Sequence, residues 1–567
     1  MNENFWLKQA KELSWVKFPK KIFSKNKNFP KWYEDGELDV YYNLIERHIK
    51  KKIGIFFVDS QKKIKFLRIK KIHNLVNIFC RNLKNLNNKN LNKVMLHTSS
   101  SIESSISMLS CVRLGIHFSV IFEELSLFAI KQRIKLFEPD IFITKDEKIY
   151  KLLKSDRGFK IEIVLFKSLF DNKIVIHKEI QNNIAKSTDK FFTLFTSGTT
   201  GMPKGVTHGH GGYLTYSNYT CRNQFGLKKN SIMFTASDAG WINGHTYALF
   251  GPLTIGCSTV LIEKPALLID EKLLIRILKK GVQVLYLPVT IIRMMKAFDT
   301  KKFIKIKTLK TLGSMGEPLA YEVGHWFAKK FLCEHKSIIN TYFQTETGGI
   351  ICSPTYKDSS KKIPHGSVGK PTNKSIKINL LTQKKKEFII KNSWPGIMQE
   401  ILNKEEFIWK KYWTRLGHFR MFDIASIKKK NIYIHGRNDD VINIRGHRIG
   451  SAEIEAVILK NENIIEACAV SINDNLDGNA LCLFVIAKKN INPIISKLII
   501  ESFGSYAIPR MIIYLKNLPK TRSGKIVRRL LREIVAYPKK KEFGDLSTLI
   551  YKGVISEIRN EIKKQRY

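Results

Sequence analysis

Residues 191–205 concentrate more potential chemistry than any other stretch of this chain. Phe191-Phe192-Thr193-Leu194-Phe195 runs straight into Thr196-Ser197-Gly198-Thr199-Thr200-Gly201-Met202-Pro203-Lys204-Gly205. The apolar run predicts a buried strand, and the Ser, Thr and Gly after it predict a loop. Glycines let backbone N–H groups approach phosphate oxygens closely. The hydroxyls of Thr196, Ser197, Thr199 and Thr200 add donors. Lys204 adds a cation, worth about 4 kcal/mol per nearby unit charge at an effective dielectric near 20. The pattern suits a bound phosphate chain, although the Gly-x-x-x-x-Gly-Lys-Ser/Thr spacing of a Walker loop is absent. A plain surface loop is the competing reading, and the strand before it and Pro-Lys-Gly after it argue against that. A second polar turn follows Pro519 and ends at Lys525, whose ammonium can stabilise negative charge on a leaving group. In a chain with 97 Lys and Arg an ordinary surface lysine competes with that reading.

Larger elements have to hold these groups in place. Apolar runs and helical patterns alternate along 92–96, 104–114, 118–122, 128–136 and 141–144, and again along 258–262, 272–280 and 282–287. Such alternation predicts an α/β fold with parallel sheets covered by helices. The stretch 359–386 reads as loops and short strands. After the break at 436–440 the alternation restarts on a smaller scale with a helix over 451–459, where Ser451 is the expected cap and Glu453 and Glu455 suit the first turn. The expected division is a large domain, residues 1–437, built of α/β subdomains, and a small, mobile α+β domain, residues 438–567.

Composition excludes some classes. The chain has 567 residues, too many for one ordinary core, and 44% of them are hydrophobic, so it is not a disordered protein. A net charge of +48 would attract nucleic acid or anionic membranes. Yet Lys, Asn, Ile and Phe are abundant throughout, as A/T-rich codons would make them, and no nucleic-acid-binding motif is present. The eight cysteines are scattered, with no metal-ligand spacing, and suit reduced thiols in the cytoplasm. No secretory signal or convincing membrane span is expected.

Thr196–Gly205 resembles the phosphate loop of the adenylate-forming superfamily, and further matches follow in that family's order. Trp241-Ile242-Asn243-Gly244-His245 resembles its substrate-pocket segment, and Gly316-Glu317-Pro318 its adenine-contacting turn. Tyr342-Phe343-Gln344-Thr345-Glu346-Thr347-Gly348 resembles its nucleotide and magnesium segment. Gly436-Arg437-Asn438-Asp439-Asp440 resembles its hinge, and Leu518-Pro519-Lys520-Thr521-Arg522-Ser523-Gly524-Lys525 its catalytic-lysine loop. Four stretches favour the acetyl-CoA synthetase branch: Lys31-Trp32-Tyr33-Glu34-Asp35-Gly36, Gly313-Ser314-Met315-Gly316-Glu317-Pro318, Ser393-Trp394-Pro395-Gly396 and Gly544-Asp545-Leu546-Ser547-Thr548-Leu549.

The resemblance implies activation of acetate by ATP to an acetyl-adenylate with release of diphosphate, then transfer of the acetyl group to coenzyme A. Both partners of the first step are anionic, so charge must be cancelled and geometry held. By resemblance Lys525, Glu346 and Lys204 carry this step, with Mg²⁺ on Glu346 because a hard ion takes oxygen ligands. The nucleotide is expected on Thr196, Ser197, Gly198, Thr199, Thr200 and Gly201, on Gly316, Glu317 and Pro318, and on Asn340, Thr341, Tyr342, Phe343, Gln344 and Thr345. Asp423 would hold the ribose hydroxyls, and Arg437 and Arg448 would reach ribose and phosphate. Trp241, Ile242, Asn243, Met315 and Phe343 would wall the acyl pocket. Asn243, Arg445 and Gly446 would face coenzyme A, and Asp439 would be the hinge. An acetyltransferase and a deacetylase acting on Lys525 would be the partners of a charge switch there.

Three departures stand out. The family's Thr-Gly before the ribose aspartate is Met421-Phe422 here, which implies a different turn. Its pocket-shortening tryptophan is Phe343, so propionate or another short acid is the alternative substrate. The Gly-Gly of its coenzyme A site is Glu123-Glu124, and arginines for the 3′-phosphate give way to Tyr150, Leu153 and Ile500, with only Lys151 and Lys154 nearby. Weaker coenzyme A binding is expected, since Lys lacks the Arg fork. A decayed synthetase that binds nucleotide or nucleic acid through its charge is the alternative from another class, and the intact Lys204, Glu346, Arg437, Arg448 and Lys525 weigh against it.

Overall fold

The computed structural model describes residues 3–26, 29–86, 91–123, 125–156, 158, 160–171, 180–197, 203–299, 302–381, 386–402, 406–437, 441–444, 447–474, 478–488, 491–503, 505–521, 525–540, 542–543, 546, 549–551 and 553–565.

The described residues form two seven-stranded sheets. One runs, edge to edge, Glu400–Ile401, Pro203–Gly209, Lys190–Ser197, His117–Ile121, Lys93–His97, Ile141–Thr144 and Glu162–Leu165. From Lys190–Ser197 onward its strands are parallel, and Pro203–Gly209 folds back antiparallel. The other runs Ile339–Asn340, Thr311–Met315, Val284–Pro288, Ile232–Thr235, Ser258–Ile262, Gly54–Val58 and Ile64–Arg68, parallel except for the last pair. The α/β alternation seen in the sequence is therefore two parallel sheets. Their strands are apolar runs because helices cover both faces.

The helices Ile69–Asn85 and Ile102–Leu114 touch each other and share one core with strands of both sheets. Ile102–Leu114 is serine-rich yet buried. Ser101 and Ser104 cap it reciprocally, and the hydroxyls of Ser107 and Ser110 donate to carbonyls one turn back. Satisfied hydroxyls let a polar sequence fill the space between two sheets.

A third, antiparallel sheet runs Ile378–Leu381, Glu387–Ile390, Phe419–Lys428 and Asn431–Arg437. Beyond it the hairpin Val441–Ile444 with His447–Gly450 packs with Ile464–Asp474 and Gly478–Ala487, against which Met511–Tyr514 lies parallel. Helices Ser451–Ile458 and Asn492–Phe503 pack on one face of this small sheet, Arg528–Ala536 and Val554–Gln565 on the other. The cap expected at Ser451 is instead Gly450, and Glu453 reaches back to its N–H at 3.4 Å. Ser451 is already the first helical residue. Glu455 turns inward to accept from the Ala469 N–H and to pair with Arg528, rather than serving the helix dipole.

The small sheet meets the large unit through helix Val289–Ala297. There Arg293 pairs with Glu317 and lies near Glu466, which in turn holds Lys520. No helix among the described residues is long and apolar enough to cross a membrane.

Candidate active site

The carboxyl ends of strands from both sheets converge on the expected site residues, the usual place for a ligand in an open α/β sheet. Thr196 pairs with Lys204 and Ser197 with Pro203, so the strands flanking the expected phosphate loop form an antiparallel pair. Its strand is anchored by buried Phe191, Phe192 and Leu194, and by a hydrogen bond between Thr193 and Thr207. Gly198, Thr199, Thr200, Gly201, Glu124, Asp439, Arg445 and Gly446 lie outside the described residues, as do the side chains of Ser197, Arg437 and Arg448.

Glu346 sits in the single 3₁₀ turn Thr345–Thr347. Three neighbours fix that turn. His208 donates to the Thr345 carbonyl at 2.8 Å, the Met398 N–H to Glu346 at 2.9 Å, and the Trp394 indole N–H to Thr347 at 2.9 Å. Gly348 then takes φ +67°, where a Cβ would lie 2.1 Å from the Gly396 carbonyl oxygen. Only glycine fits both the backbone angle and the approach. Two segments quoted from the sequence also meet, since the Trp32 indole N–H donates to Ser393 at 2.9 Å.

The carboxylate of Glu346 is buried and ion-paired to Lys204 at 2.8 Å. The Tyr412 hydroxyl donates to Glu346 Oε1 at 2.7 Å and also meets Lys204 Nζ. Burial alone would raise the pKa of Glu346. The Lys204 charge and the hydrogen bonds from Lys204 and Tyr412 overcome that and bring it down to about 2. Glu346 is thus an anion at any working pH, a hard oxygen donor suited to Mg²⁺. No group of three or more acidic, His or Cys side chains that could hold a metal occurs among the described residues. A magnesium ion here would rely on the phosphates of its nucleotide as well as on Glu346.

Tyr342 and Gln344 converge on Asp423, donating to the same Oδ2 at 2.6 and 2.7 Å. The different turn expected before Asp423 is not found, since Met421, Phe422 and Asp423 all lie within strand Phe419–Lys428. Phe422 itself adopts φ +56°, the left-handed conformation that glycine enters freely. Its ring lies edge-on to Tyr412 at 5.4 Å and under the Arg420 guanidinium at 4.9 Å. Those contacts offset a backbone cost of about 1–2 kcal/mol.

Met315 ends its strand and shares a cluster with Tyr247 and Ile350, against which Phe343 packs. Phe343 also borders the cluster that contains Ile242, and it meets Tyr247 edge-on at 5.8 Å. Trp241 packs on Phe122 at 5.0 Å. Beside Gly316, at φ +91°, a Cβ would meet nothing within 4 Å. Trp241 Nε1, Asn243 Oδ1 and Thr196 Oγ1 are buried polar atoms with no hydrogen-bond partner. With Glu317 Oε1 they leave hydrogen-bonding capacity open at four expected site residues, where buried polar groups are normally paired. Asn340, by contrast, is spent on structure, donating to the Gly366 and Ser367 carbonyls and accepting from Ser314, and Thr341 donates to the Ser314 carbonyl.

Sequence reasoning missed Tyr412, His208 and Asp238. Tyr412 lies in Lys410-Lys411-Tyr412-Trp413, which carries no motif. His208 shares a strand face with Lys204 by simple alternation, a signal that was available. Asp238 is half-buried, and desolvation, with the nearby Glu123 charge adding to it, lifts its pKa to about 6 although Gly240 donates to it.

Residues 57–413 match the family described as AMP-binding enzyme. The chain belongs to the AMP-binding enzyme family. Residues 453–525 match the C-terminal domain of AMP-binding enzymes, and residues 1–44 match the acetyl-coenzyme A synthetase N-terminus. Among curated AMP-binding relatives, an acetyl-coenzyme A synthetase of Helicobacter pylori (strain HPAG1) is 31% identical, the alignment covering 99% of this chain and 93% of the relative. One from Psychrobacter cryohalolentis is 30% identical over the same shares. This AMP-binding enzyme therefore lies on the acetyl-coenzyme A synthetase branch. Among solved structures, an acetoacetyl-CoA synthetase from Streptomyces lividans superposes with a TM-score of 0.81 at 14% identity, covering 99% of this chain and 93% of that one. An anthranilate CoA ligase solved with anthranoyl-AMP superposes at 0.76 with 20% identity, covering 88% and 98%. Both share the fold of this AMP-binding enzyme.

Proposed function

We propose that this chain is an AMP-forming acetate–CoA ligase that converts acetate, ATP and coenzyme A to acetyl-CoA, AMP and diphosphate through an acetyl-adenylate. The observation that carries the reading is the Lys204–Glu346 pair between the strand after the expected phosphate loop and the turn after strand Ile339–Asn340. A decayed enzyme would have no reason to keep a charge pair whose carboxylate is buried, which is expensive to desolvate. In this reading Lys204 cancels phosphate charge and Asp423, held by Tyr342 and Gln344, takes the ribose. Gly316, Glu317 and Pro318 take the adenine, with Arg437 and Arg448 on ribose and phosphate. A magnesium ion held by Glu346 and the nucleotide supplies further charge neutralisation at the phosphates. Residues 1–437 and 438–567 act as the large and small domains about Asp439, and Lys525 enters from the small one. The eight free cysteines favour a cytoplasmic setting.

The test is ATP–pyrophosphate exchange with acetate, propionate and butyrate offered separately. Exchange fastest with acetate supports the reading. A faster reaction with propionate moves the assignment to that acid, and no exchange with any of the three removes it.

Phe343 sets the expected chain-length preference. Phe343→Trp should raise the ratio of acetate to propionate turnover by roughly 5–150-fold, the range that one methylene permits. An unchanged ratio would place the pocket elsewhere. Glu123 sets an expectation for coenzyme A. Its carboxylate lies close enough to His97 and Asp238 to perturb both. A carboxylate repels the coenzyme's phosphates, so Glu123→Gln should lower the KM for coenzyme A about fivefold, the effect of roughly 1 kcal/mol of repulsion. A KM that rises instead would show Glu123 to be a contact rather than an obstacle.

A further inference from the structure

We propose that Tyr412 is a positioning residue that aims the Glu346 carboxylate at the nucleotide's divalent cation. The inference rests on the function proposed above and adds a residue to it.

The Tyr412 ring is immobilised. It is 3% exposed, stacks nearly parallel on Phe419 at 5.6 Å and 22°, and meets Phe422 edge-on at 5.4 Å and 82°. With the ring fixed, its hydroxyl has one direction, and that direction is Glu346 Oε1 at 2.7 Å. Lys204 Nζ reaches the same oxygen at 2.8 Å, contacts the hydroxyl and sits 5.0 Å from the ring centroid. Two donors therefore share one carboxylate oxygen.

Their fates differ when a nucleotide arrives. Lys204 lies on the strand after the expected phosphate loop and is drawn toward the new negative charge. Tyr412 stays, because its ring cannot move. Its hydroxyl keeps Oε1 occupied and holds the carboxylate plane, so that Oε2 is presented to the cation without further loss of side-chain freedom. Without the hydroxyl, Glu346 could rotate and follow Lys204. Nothing in the sequence marks this tyrosine, since it meets Lys204 and Glu346 only in the folded chain.

Tyr412→Phe keeps the ring and removes only the hydroxyl. The primary measurement is calorimetric ATP binding, with magnesium and with magnesium chelated, on the full chain of parent and variant. The ratio of the two affinities is expected to fall about tenfold in the variant, the loss of one hydrogen bond to a charged group. Magnesium-free affinity should change little. Pyrophosphate exchange is the second readout: the magnesium concentration for half-maximal rate should rise about tenfold while the KM for acetate stays put. An unchanged affinity ratio in Tyr412→Phe overturns the assignment, even if exchange by the parent upholds the ligase reading. A parent that binds ATP equally well without magnesium overturns it too. A parent with magnesium-dependent ATP binding but no exchange with any short acid removes the ligase reading alone, and the affinity ratio still decides for or against Tyr412.

Discussion

Acetate-dependent ATP–pyrophosphate exchange is expected to fall by about 10²–10³-fold in Lys525→Ala, the usual cost of removing one charge aimed at a developing anion. Coenzyme A-dependent release of acetyl-CoA from preformed acetyl-adenylate should survive, because the group that leaves in that step is AMP, and no diphosphate departs for Lys525 to stabilise. The structure shows how the lysine is presented. Lys525 is exposed, and its carbonyl accepts from the Thr521 N–H at 2.8 Å. The Lys520–Ile526 bridge closes the base of the turn, and Thr521 bridges Leu549. The Ile550 N–H donates to Lys520 at 3.0 Å. Leu549 and Ile550 thus brace the strand-like residues Lys520 and Thr521 that lead toward Lys525. Lys520, at the start of the same turn, is committed to Glu466 and is disfavoured as a cation by burial. Lys520→Ala should therefore not reproduce the Lys525→Ala pattern of exchange lost and thioester formation kept. If both half-reactions fall equally in Lys525→Ala, the lysine is holding the small domain together rather than stabilising the leaving diphosphate.

Glu346→Ala is expected to lower the stability of the large unit by about 3–5 kcal/mol and to abolish exchange, because it strands Lys204 as a partly buried cation. The two readouts separate structure from chemistry. Glu346→Gln retains the shape and a carbonyl acceptor for Tyr412, so it should melt closer to the parent while exchange remains lost. The pH dependence has a definite sign. The folded pKa lies below the unfolded one, so the ion pair's contribution is fully present above the ordinary carboxylate range. It is lost only as pH falls toward 2. The parent's exchange profile should show no acid limb from Glu346 between about pH 5 and 9. A melting transition that does not move in Glu346→Ala would mean the pair contributes nothing to stability.

Short-range rules sufficed for much of this protein. The α/β alternation follows from hydrophobic runs that only a covered parallel sheet can bury, and the Ser, Thr and Gly run after Phe195 stands out by residue type and spacing. Ordered motifs, from Thr196 to Lys525, placed the chain among AMP-binding enzymes because local sequence and local chemistry coincide there. The helix beginning at 451 was misread by one residue because Gly450 and Ser451 are both acceptable caps. The choice fell to Glu453, which reaches the Gly450 N–H.

Other features depend on distance in the chain and could only be settled by folding. Glu346 was legible as a magnesium-side carboxylate through the resemblance, but nothing in the sequence showed its burial. It becomes a deeply buried anion because Lys204 and Tyr412, far from it in sequence, supply the charge and the hydroxyl that offset its desolvation. Phe422 looked like a broken glycine motif, yet it adopts the glycine conformation because Tyr412 and Arg420 hold its ring. Gly348 is required by the Gly396 carbonyl, and Trp32 finds Ser393 across the molecule. Sequence determined which groups this protein owns and which elements carry them. Tertiary structure decided their ionisation, their orientation and their partners, because those depend on low dielectric and on contacts that no local pattern encodes.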